Sequence, residues 1–233
     1  MKIIAGNFKM NKTLEECKKY ACVVKKYKTP KDKQIILCPP IFALSEFEKL
    51  KNISLGSQNV SYAECGALTG EVSASQLKSI GVKYCLIGHS ERRHILGEDD
   101  ECITNKSVQL EKQNIIPIIC IGEKLEETKR KKSVLSAQLE NVVKALKNDF
   151  IVAYEPVWAI GTGKVCGIDD IKKTHIYIKD KLLKLTGKNV SVLYGGSVKP
   201  ENAKEILSQS EVDGVLVGGA CLDFNNFKKI IEA

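Results

Sequence analysis

Two ionisable residues in this chain sit where packing alone explains them poorly. Glu155 follows the apolar run Phe150–Tyr154 and precedes Pro156, so it stands at a strand end. A carboxylate there is costly unless it faces a cleft or is put to use. His89, one of three histidines, follows the apolar Tyr84–Gly88 and precedes a predicted helix over Ser90–Leu96. The N-terminal dipole of such a helix disfavours the imidazolium. A carboxylate base facing a neutral imidazole donor suits proton transfer beside a carbonyl. Singly, a structural glutamate and a hydrogen-bonded core histidine explain these residues better; together with Lys9 and a phosphate site, the active-site reading takes precedence. His89 and His94 are five apart without a His-Glu-x-x-His pattern, so no metal site is expected.

Glycines supply the phosphate site. Gly195-Gly196-Ser197 and Gly218-Gly219 follow the last two apolar segments of the chain. Without Cβ atoms, such turns let backbone N–H groups converge on a phosphate, aided by the positive end of a following helix. Gly163-Lys164 is not a nucleotide-binding P-loop, because Val165 stands where Ser or Thr is required and no glycine lies five residues before Gly163. Pro156-Val157-Trp158-Ala159-Ile160-Gly161-Thr162-Gly163-Lys164 has a proline at one end, glycines near the other and an apolar middle holding the chain's single Trp. That pattern fits a lid that expels water from a small substrate; an immobile loop packed by Trp158 is the alternative.

These groups need a frame that gathers strand ends. Eight short apolar segments recur: Ile3–Gly6, Gln34–Cys38, Ser54–Gln58, Tyr84–Gly88, Ile116–Ile121, Ile151–Tyr154, Ser191–Tyr194 and Gly214–Val217. Most are continuous runs of Ile, Val, Leu and Cys, as expected of strands covered on both faces. Between them lie helix-favouring stretches such as Thr13–Tyr27, Asp100–Gln113, Glu126–Lys147 and Asp169–Thr186. Thr13 and Asp169 read as helix caps. Ile171, His175, Ile178, Leu182 and Leu185 form one stripe at three- and four-residue steps. Strand–helix alternation without a linker predicts an α/β fold in which residues 1–233 form a single (β/α)₈ barrel domain, with its chemistry at the C-terminal ends of the strands. A doubly wound sheet is the runner-up, but the turn after the first strand, Gly6-Asn7-Phe8-Lys9, lacks the dinucleotide glycine pattern.

Composition excludes other classes. The 233 residues carry 36 Lys and Arg against 28 Asp and Glu, a formal charge of +8, with 43% hydrophobic residues. The lysines are spread along the helical stretches and no aromatic-basic interleaving occurs, so nucleic acid is not an expected partner. The positive field favours a small dianion. Apolar stretches are too short to span a bilayer, and Lys2, Lys9 and Lys12 break any signal-peptide core, so neither membrane nor secretion is expected. Nine cysteines without a Cys-x-x-Cys pair fit reduced thiols in the cytoplasm.

In these motifs the chain closely resembles the triosephosphate isomerase family, from Asn7-Phe8-Lys9-Met10-Asn11 to Gly218-Gly219. The resemblance is carried by the run from Tyr154 to Lys164, by Gly88-His89-Ser90-Glu91-Arg92-Arg93 and by Tyr194-Gly195-Gly196-Ser197-Val198-Lys199-Pro200-Glu201-Asn202. It implies an isomerase that interconverts dihydroxyacetone phosphate and D-glyceraldehyde 3-phosphate through an enediolate, in glycolysis and gluconeogenesis, without a cofactor. By resemblance Glu155 is the base, His89 the neutral electrophile and Lys9 the positive charge beside it. Asn7 binds the oxygen side of the substrate with Lys9 and orients Lys9; Gly161, Ser197, Gly218 and Gly219 hold the phosphate; Ser90 and Glu91 support His89 and Lys9. The segment 58–74 resembles an interdigitating loop, which implies a homodimer with Cys65, Thr69 and Glu71 at its interface and Thr69 near the partner's Asn7 and Lys9. The chain departs from the family pattern at Phe8, where Trp is common, at Leu68, where Phe is usual, and at Cys221, where Ser is usual. Cys221, two residues after Gly219, is expected near a helix N-terminus that could favour its thiolate; a buried, inert thiol is the preferred alternative.

Overall fold

The computed structural model describes residues 1–160 and 166–233. Eight parallel strands close into a barrel: β1 (Lys2–Asn7), β2 (Lys33–Cys38), β3 (Ser54–Ser57), β4 (Tyr84–Ile87), β5 (Ile116–Ile121), β6 (Ile151–Tyr154), β7 (Ser191–Tyr194) and β8 (Gly214–Val217). Each strand pairs with its sequence neighbour, and β1 closes on β8 with Ile3 opposite Gly214 and Gly6 opposite Val217. The expected (β/α)₈ barrel is therefore the fold found, with strand bounds within a residue of those read from the apolar runs.

Continuous apolar strands form because both faces are covered. Ile3, Ala5, Ile36, Cys38, Leu86, Ile118, Cys120, Ala153, Leu193 and Leu216 point into the barrel, whereas their neighbours Ile4, Ile35, Leu37, Ile119, Val152 and Val215 pack under the helices. This is the period-two alternation of a strand, hidden in sequence because both sides are apolar.

Helices fill the outer layer: α1 (Leu14–Lys25), α2 (Leu44–Phe47), α3 (Ala74–Ser79), α4 (Ser90–His94), α5 (Asp100–Lys112), α6 (Lys131–Lys144), α7 (Ile168–Thr186), α8 (Pro200–Leu207) and α9 (Phe224–Ile231). Thr13 caps α1 in a reciprocal box with Glu16, as expected. Two expectations are corrected. Asp169 is not a cap: Gly167 occupies the N-cap without a side-chain bond, and Asp169 joins Asp170 in the first turn, where negative charge suits the helix dipole. The stretch Glu126–Lys147 is not one helix but a 3₁₀ turn over Leu125–Arg130 followed by α6. None of that turn's residues is buried, so no apolar stripe continues α6 backwards. The stripe on α7 buries Ile171, His175, Ile178 and Leu182, with Leu185 partly covered. Among the described residues no helix is long and apolar enough to cross a membrane.

Candidate active site

The C-terminal ends of β1, β4, β6, β7 and β8 surround one cleft of about 740 Å³, lined by Asn7, Lys9, His89, Glu155, Gly195, Ser197, Gly218 and Gly219. Residues separated by more than 200 positions are thus brought to one opening by barrel closure.

Glu155 extends β6 by one backbone bond, its N–H donating to the Ile121 carbonyl at 2.7 Å. Its surroundings leave no room for neighbouring side chains. A Cβ at Gly122 would lie 1.7 Å from the Glu155 carbonyl oxygen, and one at Gly195 would lie 2.8 Å from Glu155 Cγ. The carboxylate is 2% exposed. Its Oε1 stands 3.1 Å from His89 Nε2, and its Oε2 accepts the Ser90 backbone N–H at 3.1 Å. Both oxygens are therefore satisfied, one of them by His89, which itself lines the cleft.

His89 is the N-cap of α4, and its Nδ1 accepts the Glu91 backbone N–H at 3.2 Å. An Nδ1 that accepts carries no proton, so the hydrogen of the neutral ring sits on Nε2 and points at Glu155. Glu91 Oε2 lies 3.4 Å from the same Nδ1, and the other Glu91 oxygen is held by Lys9 Nζ at 2.6 Å. The helix following His89 ends at His94 rather than Leu96, and the ring itself caps it.

Lys9 takes a left-handed backbone conformation, with φ 52°, uncommon for a residue with a side chain. Three contacts hold it. Its N–H donates to Asn7 Oδ1 at 2.9 Å, its carbonyl accepts from Gln58 Nε2 at 3.0 Å, and its ammonium pairs with Glu91. Strain that the neighbours over-determine in this way marks a placed charge. Gly218 leaves space beside it, since a Cβ there would approach Lys9 Cε to 3.3 Å.

At the other end of the cleft the turns after β7 and β8 present Ser197, Gly218 and Gly219. Ser197 Oγ donates to the Ala159 carbonyl at 2.6 Å, tying that turn to the segment after Glu155, and its own carbonyl accepts from Asn202 Nδ2. Of the segment Pro156–Lys164, residues 156–160 are described and Ile160 lines the cleft; Gly161, Thr162, Gly163 and Lys164 lie outside the described residues. Pro156 opens a 3₁₀ turn over Val157–Ala159. Among the described residues no three His, Cys, Asp or Glu side chains converge as metal ligands would.

Cys65, Thr69 and Glu71 lie on the exposed stretch between β3 and α3, outside this cleft. Glu71 and Glu91 border a second cleft of about 510 Å³ that shares Asn7, Lys9 and His89 with the first. Cys221 lies, as expected, near the start of a short helix, the 3₁₀ turn over Gly219–Leu222, but it is fully buried there. Its Sγ lies 3.5 Å from the Asn7 carbonyl oxygen, and burial pushes the thiol well up, which favours the inert alternative. Phe8 packs edge-on against Tyr20 and Phe47 at 4.9 and 6.0 Å, filling its site as an aromatic residue.

Sequence reasoning missed Glu123 and Gln58. Glu123 follows β5 after Gly122, is 0% exposed, and its Oε1 accepts from Tyr154 Oη and Trp158 Nε1, each at 3.1 Å. An acidic residue within two positions of the end of an apolar strand was the signal available, close to the one that marks Glu155. Gln58 bridges the carbonyls of Lys9 and Cys38, and nothing local in the sequence distinguishes it from a loop glutamine.

A family model described as triosephosphate isomerase matches residues 2–233. The chain is 40% identical over 243 residues to the triosephosphate isomerase of Alkaliphilus metalliredigens, with 99% of this chain and 98% of that protein covered. It is 42% identical over 244 residues to that of Finegoldia magna, covering 99% and 97%. Against that of Aquifex aeolicus it is 40% identical over 242 residues, covering 99% and 98%.

Proposed function

The chain belongs to the triosephosphate isomerase family, and on that premise we propose that it interconverts dihydroxyacetone phosphate and D-glyceraldehyde 3-phosphate by a two-carbon proton transfer centred on Glu155. The observation that carries this reading is the contact of the Glu155 carboxylate with His89 Nε2 at 3.1 Å, in a cleft that also holds the glycine turns.

In the ketose-to-aldose direction Glu155 takes a proton from C1 of dihydroxyacetone phosphate. The C–H electron pair becomes the C1–C2 double bond, and the carbonyl π pair moves onto the C2 oxygen. His89 Nε2–H donates to that oxygen, and the Lys9 ammonium places positive charge beside it. The C1 hydroxyl proton then passes to the C2 oxygen by way of His89 Nε2, so that oxygen becomes the hydroxyl; the C1 oxygen pair closes the C1 carbonyl while the C1–C2 π pair takes the proton back from Glu155 at C2, and the aldehyde results. A substrate oxygen takes over the His89 donor that Glu155 holds in the free enzyme, so binding itself releases the base. Asn7, Ser90 and Glu91 act as positioning residues for Lys9, Glu155 and His89. Backbone N–H groups of Ser197, Gly218 and Gly219, with Gly161, hold the phosphate. The segment Pro156–Lys164 covers the substrate, as in the family whose loop is the reference example of substrate-induced closure.

A homodimer completes the proposal. It is supported by the exposed apolar side chains Met10, Ile41, Phe42, Ile95 and Leu96, several of which rim the second cleft, and by the exposed loop with Cys65, Thr69 and Glu71. Thr69→Glu should weaken dimerisation and activity together, and an active monomer in sedimentation would break that link. The setting we propose is cytoplasmic, within glycolysis and gluconeogenesis. The central test is a coupled assay for glyceraldehyde 3-phosphate formation with chelator present. Turnover in the parent protein, abolished in Glu155→Gln while a phosphate-bearing inhibitor still binds, is the expected result; no turnover in the folded parent rejects the reading.

A further inference from the structure

Glu123 gathers the residues on both sides of Glu155. Its side chain accepts from Tyr154 Oη and Trp158 Nε1, and its backbone carbonyl accepts from the Val157 N–H at 3.0 Å. Its carboxylate is 0% exposed, and its second oxygen, Oε2, is buried without a hydrogen-bond partner. A buried carboxylate of this kind requires a compensating cation, and losing that cation is strongly destabilising to the charge.

Among the described residues one cation lies within 4 Å of it. Lys131, the first residue of α6, reaches inward so that its Nζ stands 3.7 Å from Glu123 Oε1 and 5.8 Å from the centre of the Tyr154 ring. The same ammonium bonds Asp170 Oδ2 at 2.7 Å and lies 3.4 Å from Thr174 Oγ1, both on α7. Asp170 in turn accepts from Cys166 Sγ at 3.2 Å. Burial raises the Asp170 carboxyl, but its bonds to Lys131 and Cys166 outweigh this and hold it below its ordinary value. One ammonium therefore joins the residue pair before and after Glu155 to the residue that opens the approach to α7. It does so from a helix start, where a cation is opposed by the helix dipole and is retained only if something else favours it. Lys129, Lys131 and Lys132 all line the groove between α6 and α7, but Lys132 lies over the Tyr177 ring, whereas the Lys131 ammonium is the one that reaches Glu123.

We infer that Lys131 is a positioning residue for the isomerase site: it neutralises Glu123 and so fixes Tyr154, Val157 and Trp158 around Glu155, and ties them through Asp170 to Cys166. This rests on the reading of Glu155 as the base, but it has a readout independent of catalysis. Trp158 is the chain's single tryptophan, so fluorescence emission and acrylamide quenching report the Glu123–Trp158 contact directly.

The test compares Lys131→Met, Lys131→Arg and the outer-groove control Lys132→Met, each checked for fold by circular dichroism. In Lys131→Met, Trp158 emission should shift and quenching increase, and kcat and KM should worsen together, lowering kcat/KM by about tenfold, as when residues that hold a hinge are disturbed. Lys131→Arg, which keeps a cation within reach of both carboxylates, should restore both readouts, and Lys132→Met should leave them as in the parent. Parent-like emission and kinetics in Lys131→Met overturn the inference. So does a fall in kcat alone at unchanged KM and emission, which is what a smaller folded fraction gives. A double-mutant cycle with Glu123→Gln serves if Lys131→Met accumulates poorly: once the carboxylate is gone, adding Lys131→Met should cost little more, whereas full additivity overturns the proposal. Emission that shifts as expected while Glu155→Gln remains active would leave the role of Lys131 standing and reject the base.

Discussion

Glu123 and Glu155 follow adjacent barrel strands, and both carboxylates are buried, at 0% and 2% exposure. They are near counterparts in position, Glu155 directly after β6 and Glu123 one glycine beyond β5. Their partners separate them. Glu123 is held by a tyrosine hydroxyl, an indole N–H and an inward-turned lysine, all walled off from the main cleft. Glu155 is held by the buried Ser90 backbone N–H and by an imidazole N–H that faces the cleft and can pass to a substrate oxygen. Burial alone therefore does not mark a base. What matters is whether the groups that satisfy the carboxylate can be exchanged for the reacting molecule, because a base must be stable when idle and free when needed.

The sharpest way to break this contrast is to remove each charge without changing shape. Glu155→Gln should reduce kcat by about 10³ or more, the scale of general-base catalysis, with ligand binding retained. A loss of only about tenfold would place the base elsewhere. His89→Gln comes next, at about 10²–10³ in kcat, the usual worth of one oxyanion donor. Near-normal turnover in that variant would remove His89 from the mechanism. Glu123→Gln should cost much less, about tenfold in kcat/KM, since the amide oxygen can still accept from Trp158 Nε1 while the charge pairing with Lys131 is lost. If Glu123→Gln proved as damaging as Glu155→Gln, the distinction between an anchoring and a reacting carboxylate would fall.

A smaller effect concerns stability. His175, on α7, lies fully buried between the rings of Tyr154 and Tyr194, with centroids 6.1 and 6.5 Å away. Burial pushes its pKa from 6.5 down to about 4, with Lys179, Asp213 and Glu211 as neighbouring charges. The folded state therefore binds this proton less readily than the unfolded chain. Its contribution is fully present above pH 6.5 and is lost as pH falls toward 4, amounting to about 3 kcal/mol at most. Urea midpoints measured from pH 7 to 4.5 should fall less steeply in His175→Leu, and an unchanged slope would mean that the ring is protonated or solvated in the folded protein.

The same contrast explains what the sequence could and could not disclose. Strands and the barrel were readable because burial on both faces writes itself as unbroken Ile, Val and Leu runs, and the helix over 168–186 because one stripe repeats along it. Glu155 and His89 were readable because each breaks an apolar run at its end. Glu123 breaks β5 in the same way, but its meaning depends on Lys131, Tyr154 and Trp158, which only barrel closure brings to it. The division between a 3₁₀ turn and α6 was likewise unreadable, because Leu125–Arg130 and the following turn are equally polar and differ only in what they pack against. Lys9 could be marked as a charge at a strand end, but not its left-handed backbone, which Asn7 at the end of β1 and Gln58 after β3 enforce together.

The smallest expected effect is a null one, at Cys221, and it tests the same idea with a thiol in place of a carboxylate. Cys221 lies beside the cleft's phosphate end by sequence, two residues after Gly219, yet its side chain turns inward, with a Cβ on Gly6 coming within 3.2 Å of its own. The residue is fully buried, its carbonyl accepts from Tyr20 Oη at 2.8 Å, and burial raises the thiol instead of activating it. Proximity to the site without an exchangeable, accessible face should leave it as unreactive as Glu123 is non-catalytic. Cys22 and Cys65 are exposed in the single chain, so a methylating thiol reagent followed by peptide mass spectrometry should label Cys22 first. Cys65 should react more slowly to the extent that the proposed dimer covers it, and any inactivation that accompanies its labelling should track dissociation in sedimentation. Cys221 should stay unlabelled while the enzyme remains folded and active, with or without a phosphate-mimicking inhibitor. Labelling of Cys221 in active enzyme, slowed by that inhibitor, would show that the turn after β8 opens to solvent at the phosphate end, and position rather than partners would then decide reactivity there.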